Sequence, residues 1–97
     1  MQFALVAHDQ PNSVARRAEL RAEHLKYLEG LGSKLVFAGP FLNDKGEGVG
    51  SIVVIEAEDL ASARAEFGRD PYAVNGLFDS ITIKPWKFVF NNSKPVP

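Results

Sequence analysis

Apolar residues gather into four short runs, separated by two stretches of helical length. Residues 2–7 (Gln-Phe-Ala-Leu-Val-Ala) read as a strand, which the turn-forming cluster His8-Asp9-Gln10-Pro11-Asn12 ends. A helix follows from 14 to about 29, with Ser13 at the capping position and Gly30 and Gly32 to stop it. A second strand covers 34–41 and a third covers 51–57. The polar, glycine-bearing segment Asn43-Asp44-Lys45-Gly46-Glu47-Gly48 joins them as a hairpin loop. Asp59 caps a second helix over 60–67, and Gly68 ends it. Asp70-Pro71 opens a further short turn or helix, Asp suiting the cap and Pro the first helical position. A last long strand spans 79–90. Residues 91–97 carry little apolar content and are expected to be a loose tail outside a single 1–90 domain.

The order strand, helix, strand, strand, helix, strand predicts an α+β, ferredoxin-like βαββαβ fold, with a four-stranded antiparallel sheet and both helices on one face. Pro85 fits, because a residue without an N–H belongs at a sheet edge or bulge, and the last strand is an edge in that order.

The strands do not alternate between apolar and polar. Phe3, Leu5 and Ala7 oppose Ala4 and Val6; Leu35 and Phe37 oppose Val36 and Ala38; Ile52 and Val54 oppose Val53 and Ile55. Two helices cover one face only, so the second apolar face calls for another cover, and no element is left to supply it. A second copy of the chain, sheet against sheet, is the economical answer. The plain alternative is the ordinary β-propensity of Val and Ile on a partly wet face.

The first helix departs from a simple packing pattern. At about 100° per residue from Val14, the apolar arc holds Ala18, Leu25 and Leu28 on one side and Leu20, Tyr27 and Leu31 on the other. Arg16, Glu19, Glu23, Lys26 and Glu29 fill the rest of the wheel. Arg17, Arg21 and His24 fall inside the apolar arc, on one stripe where a helix that only packs carries aliphatic residues. The arginines have a bland account, snorkelling out of the arc, which suits Arg17 better than Arg21. Two cationic neighbours favour the neutral, base-competent imidazole of His24, while a facing carboxylate pushes the other way and fixes its tautomer. Asp70, Asp9 and Asp79 are the candidates. Asp70 is also fully explained as a helix cap, and His8 beside Asp9 reads as a turn.

Composition narrows the chemistry. The 97 residues are 45% hydrophobic and 24% charged, the balance of one globular domain. Eleven basic against twelve acidic side chains leave a net charge of −1, which argues against nucleic acid or a membrane surface recognised by bulk charge. The absence of cysteine excludes disulfides, thiolate metal sites and a cysteine nucleophile. Two histidines leave little for a catalytic metal, and His8, Asp9 and His24 have no diagnostic ligand spacing. No apolar run reaches the roughly 18 residues of a membrane span, and Met1-Gln2-Phe3-Ala4-Leu5 reads as a strand rather than a signal peptide, so a cytoplasmic location is expected. Gly46-x-Gly48-x-Gly50 joins two strands without opening a helix, so it is a flexible loop near a pocket mouth rather than a phosphate cradle, and no nucleophile elbow surrounds Ser51.

Several short motifs then stand in order: Arg21-x-x-His24-Leu25-x-Tyr27-Leu28, Ala38-Gly39-Pro40, Gly50-Ser51, Asp70-Pro71-Tyr72 and Ile83-x-Pro85-Trp86. This set resembles the YciI-like (YCII-related) family of small dimeric α+β barrel proteins over about residues 1–90; His8 and Arg17 lie outside the motifs. The resemblance implies a protomer that dimerises through its sheets, with an active site built around a His–Asp pair, here His24 and Asp70. Arg21, Arg17, Ser51 and Trp86 are the residues expected to touch substrate. Most of the family has no established reaction; one relative is a dehydrochlorinase acting on a chlorinated hydroxyhydroquinone, and the wider superfamily includes muconolactone isomerases and cofactor-free monooxygenases.

Three functions compete. A cofactor-independent enzyme would use His24 as general base or acid on a small anionic or phenolic substrate, with Asp70 orienting the imidazole and Arg21 holding an oxyanion, for elimination or isomerisation. A non-enzymatic ligand-binding or accessory module would keep the same pair as a structural hydrogen bond. A cofactor-free monooxygenase would line its pocket with Trp86, Tyr27 and Phe37, although aromatics at these spacings commonly form core.

Overall fold

The structure is a computed structural model that describes residues 1–90; the expected 91–97 tail lies outside the described residues. The elements are β1 (Gln2–Asp9), α1 (Val14–Leu31), β2 (Leu35–Leu42), β3 (Gly48–Glu56), α2 (Leu60–Phe67), α3 (Pro71–Val74) and β4 (Phe78–Trp86). The four strands form one antiparallel sheet in the order β2-β3-β1-β4, the ferredoxin-like α+β arrangement. Both edge strands carry a proline, Pro40 in β2 and Pro85 in β4, where a missing N–H costs no central ladder bond.

Register sorts the strand residues by face. Phe3, Leu5 and Ala7 of β1 stand opposite Ile55, Val53 and Ser51 of β3. This is the helix-covered face, and all of these residues are buried. Leu31 of α1 and Ala63 and Phe67 of α2 complete the main core, while Leu20, Tyr72 and Leu77 form a second, smaller cluster. The polar wheel positions Arg16, Glu19, Glu23, Lys26 and Glu29 are all exposed.

Several local details differ from the sequence reading. α1 runs to Leu31 and stops at Gly32, which has φ +57°, so Gly30 lies inside the helix. Ser13 occupies the capping position without capping; its hydroxyl donates to the Pro11 carbonyl. β3 starts at Gly48, three residues earlier than expected, and β4 ends at Trp86 rather than at residue 90. Asp59 and Asp70 do cap their helices, accepting from the backbone N–H groups of Ser62 and Tyr72.

The second face of the sheet is partly covered by the chain itself, which the sequence reading did not foresee. Phe37 of β2 and Trp86 of β4 stand on opposite edge strands, yet their ring centroids are 5.8 Å apart. Three inter-strand spacings amount to about 14 Å, so both side chains lean inward across the sheet. Phe88 packs edge-on to both rings, and the Trp86 indole N–H donates to Gln2. Val54, paired with Ala4 and Phe37, is fully buried on this face. At the other end of the face His8 stacks on Phe41 beside Gly50, where an added Cβ would approach the Phe41 ring at 3.1 Å. Between them Val6 and Ile52 are half-buried.

Candidate functional site

α1 presents two basic residues to the interior, seven positions apart. Arg17 is 7% exposed, and its Nη1 donates to both oxygens of Asp9 at 2.8 and 2.9 Å. Its Nη2 donates to the Ser51 hydroxyl at 2.6 Å. The guanidinium does not snorkel to solvent. It is drawn inward by a carboxylate at the end of β1 and a hydroxyl on β3, both on the helix-covered face. Gly48 makes room for it, since a Cβ there would lie 2.9 Å from Arg17 Nε.

His24 is equally buried, and its Nδ1 lies 2.9 Å from both oxygens of Asp70. The carboxylate can only accept, so Nδ1 carries the proton and the neutral imidazole keeps its lone pair on Nε2. Among the described residues every buried side-chain nitrogen or oxygen has a hydrogen-bond partner, and Nε2 has none among them, so Nε2 opens onto accessible space. Asp70 reaches His24 because it caps α3: its Oδ1 also accepts the Tyr72 N–H at 2.9 Å. Capping and imidazole binding coexist in one carboxylate. Asp79 is exposed on β4 and takes no part.

Tyr72 follows from the same turn. The cap fixes Asp70, Pro71 occupies the first helical position, and the next side chain is directed at α1. Its ring stacks on His24 with centroids 4.0 Å apart and planes 15° apart, and the Arg17 guanidinium lies 4.5 Å from its centroid. Seven residues along a helix amount to about 10.5 Å, so the tyrosine ring is wedged between two side chains that stand two turns apart. The sequence reading missed Tyr72 as a site residue; the signal was the Asp-Pro-Tyr triplet itself.

Arg17, His24 and Tyr72 line a cavity of about 430 Å³ between α1, the β2–β3 hairpin and α3. Val14, Ala18, Leu25 and Leu28 form its helix wall, and Ala38, Pro40 and Leu42 form the opposite wall. Ala18 and Leu25, assigned to the apolar arc, are exposed to this space rather than buried in core. Gly46 and Gly48 lie at the lining, as expected for a loop near a pocket mouth. Arg21 also lines the cavity, is exposed, and has no ion-pair partner among the described residues. The two arginines thus exchange the roles given to them by the helical wheel.

The structure does not bring every expected residue to the cavity. Ser51 lies beneath Arg17 as its hydrogen-bond partner and is absent from the lining. Trp86 and Phe37 stand on the opposite face of the sheet, removed by strand alternation. Tyr27 turns toward α2, where its hydroxyl donates to Glu66, and burial together with that carboxylate pushes the phenol well above its ordinary range. Among the described residues no three His, Cys, Asp or Glu side chains gather as a metal site. Among the described residues no helix is long and apolar enough to cross a membrane.

The comparisons with known proteins agree with this architecture. A YCII-related domain model matches residues 1–87. The chain is 35% identical to Protein YciI of Escherichia coli over 93% of its own length and all of that protein, and 32% identical to an uncharacterized protein of Haemophilus influenzae over the same shares. Among solved structures it resembles 5-chloro-2-hydroxyhydroquinone dehydrochlorinase (TftG) from Burkholderia phenoliruptrix, in complex with 2,5-dihydroxybenzoquinone. That likeness has a TM-score of 0.82 and 33% identity, covering 90% of this chain and 94% of that one. SnoaB, a cofactor-independent oxygenase from Streptomyces nogalater, shares the fold at a TM-score of 0.55 and 12% identity, covering 94% of this chain and 96% of that one. With the domain model spanning nearly the whole described chain and relatives aligned along their full length, the protein belongs to the YCII-related family.

Proposed function

We propose that this protein is a cofactor-independent acid–base enzyme acting on a small anionic or phenolic substrate by elimination or isomerisation. The observation that supports this reading is His24 on the wall of a cavity, backed by Asp70, with Nδ1 held by the carboxylate and Nε2 without a partner among the described residues. His24 Nε2 takes a proton from a carbon beside a carbonyl, and the C–H electron pair moves toward the carbonyl oxygen as an enolate. The enolate either expels a leaving group from the neighbouring carbon or is reprotonated elsewhere by the imidazolium, so the proton is returned or released with the product. Asp70 steadies the cationic imidazole between these steps. Arg21, a cavity cation without an ion-pair partner among the described residues, binds the substrate's acidic group. Arg17 is already satisfied by Asp9 and Ser51 and shapes the wall instead.

The dehydrochlorinase relative supplies a probe. Chloride release from 5-chloro-2-hydroxyhydroquinone, together with exchange of carbon-bound hydrogen in deuterated water for a set of small aromatic and lactone acids, reads the chemistry directly. Turnover is expected in the wild type, with a loss of roughly 10²–10⁴-fold in His24→Gln and Asp70→Asn. Equal activity in wild type and both variants would sink the proposal.

The protein acts as a homodimer on this reading. Val6 and Ile52 lie between the two aromatic groups of the open sheet face, and a second copy packed sheet to sheet removes them from water. Light scattering after size exclusion measures the mass; a monomer at micromolar concentration refutes this part.

A further inference from the structure

Tyr72 is 1% exposed, the most deeply buried large side chain of the site. Its ring is fixed on one side by the His24 imidazole and on the other by the Arg17 guanidinium. Its backbone N–H is held by Asp70. Its hydroxyl, by contrast, has no hydrogen-bond partner among the described residues. A buried phenol without a partner costs free energy, and buried tyrosine hydroxyls ordinarily find one. Among the described residues no fully enclosed polar side-chain atom is left unsatisfied, so the small accessible part of Tyr72 includes this oxygen, and Tyr72 lines the cavity onto which His24 Nε2 opens. Packing alone would be served by phenylalanine at this position.

We infer that the Tyr72 hydroxyl is a further catalytic residue of this cavity, donating a hydrogen bond to the substrate oxygen on which negative charge gathers while His24 holds the proton. The inference rests on the acid–base reading above and adds a donor to it. The ligand class follows: a flat ring bearing a carbonyl or phenolate oxygen, lying against the edges of the stacked Tyr72 and His24 rings, with its acidic group toward Arg21. Burial raises the phenol above its usual range, with Arg17 opposing, so Tyr72 stays a neutral donor at physiological pH.

The test uses 2,5-dihydroxybenzoquinone, benzoate and hydroquinone as probes on the whole wild-type chain, Tyr72→Phe and His24→Gln. The quinone absorbs visible light, and its band moves when an oxygen accepts a hydrogen bond. Wild type is expected to bind it with a shifted band. Tyr72→Phe keeps the stacked ring and is expected to bind roughly 10- to 100-fold more weakly, with much of the band shift gone. A measurement free of substitution runs beside it: the chain has two tyrosines, and the ¹³Cζ resonance of Tyr72 moves on binding while that of Tyr27, bonded to Glu66, stays. Unchanged affinity and band in Tyr72→Phe with binding lost in His24→Gln, or a Tyr72 resonance indifferent to bound quinone, overturns the inference and leaves the acid–base reading standing. Failure of all three probes to bind wild type overturns the inference; chloride release and hydrogen exchange then judge the acid–base reading separately.

Discussion

Arg17 and His24 share one helix, one burial level and one tyrosine ring, and each faces a carboxylate. They differ in what is left over. Arg17 directs Nη1 at Asp9 and Nη2 at Ser51, both acceptors supplied by the sheet. His24 gives one nitrogen to Asp70, and the other has no partner among the described residues. A buried ion pair is thus no guide to chemistry until its unused atoms are counted. On the proposed function, the satisfied pair belongs to the architecture and the unsatisfied one to the reaction.

Substitutions at the two carboxylates separate the pairs most strongly. Asp9→Ala leaves a buried guanidinium without its counter-charge and is expected to lower stability by about 3–5 kcal/mol in urea unfolding. At subdenaturing urea, the residual folded protein should still bind the quinone probe. A loss under about 1 kcal/mol would show that Arg17 escapes to water and that the contrast is false. Gly48→Ala attacks the same pair from the other side. Its Cβ would press on Arg17 Nε and Cδ, which cannot retreat while both ends of the guanidinium are bonded, and the expected cost is about 1–3 kcal/mol. Unaltered stability in the same assay would mean that the pair tolerates displacement.

Asp70→Asn should invert the pattern. The amide oxygen still caps α3, so stability is expected to fall by about 1 kcal/mol, while chloride release falls by orders of magnitude. Equal damage at Asp9 and Asp70 in both assays would erase the distinction. Alkali gives the smallest signal. Tyr27 and Tyr72 both hold their protons above the ordinary value of 10.0 in the folded state. The unfolded chain ionises first, so the stability they contribute is complete below about pH 10 and is lost as pH rises toward the folded values. Denaturant midpoints across that range should fall, and Tyr27→Phe should flatten the fall; an identical slope in the variant would contradict the sign.

The sequence disclosed the fold through order and punctuation. Asp59, Asp70-Pro71 and Gly32 mark element ends by chemistry that needs no tertiary partner. His24 and Asp70 stood out because a basic residue in an apolar stripe and an acid at a helix start are anomalies of local pattern. The fate of Arg17 was not legible, since a helical wheel shows which side a residue faces and not whether a strand 34 residues away offers an acceptor. Trp86 was misplaced for a related reason: strand alternation, fixed only once β4 pairs with β1, sends it to the far face. β3 began early because Gly48 and Gly50, weak strand formers in isolation, pair with Leu42 and Phe41 where side chains would collide.

α3 is a single helical turn, and the carboxylate that caps it is the carboxylate that holds the imidazole. Fraying of that turn and misorientation of His24 are therefore one event. The Tyr72 amide becomes a natural reporter: its hydrogen-exchange rate counts how often the site comes apart, independently of whether the β1–β3 ladder has opened. On warming, exchange at this amide should run ahead of exchange in the central strands, because one turn has few neighbours to hold it. Between those two temperatures the chain would keep its sheet and its mass while the geometry at Nε2 had already gone.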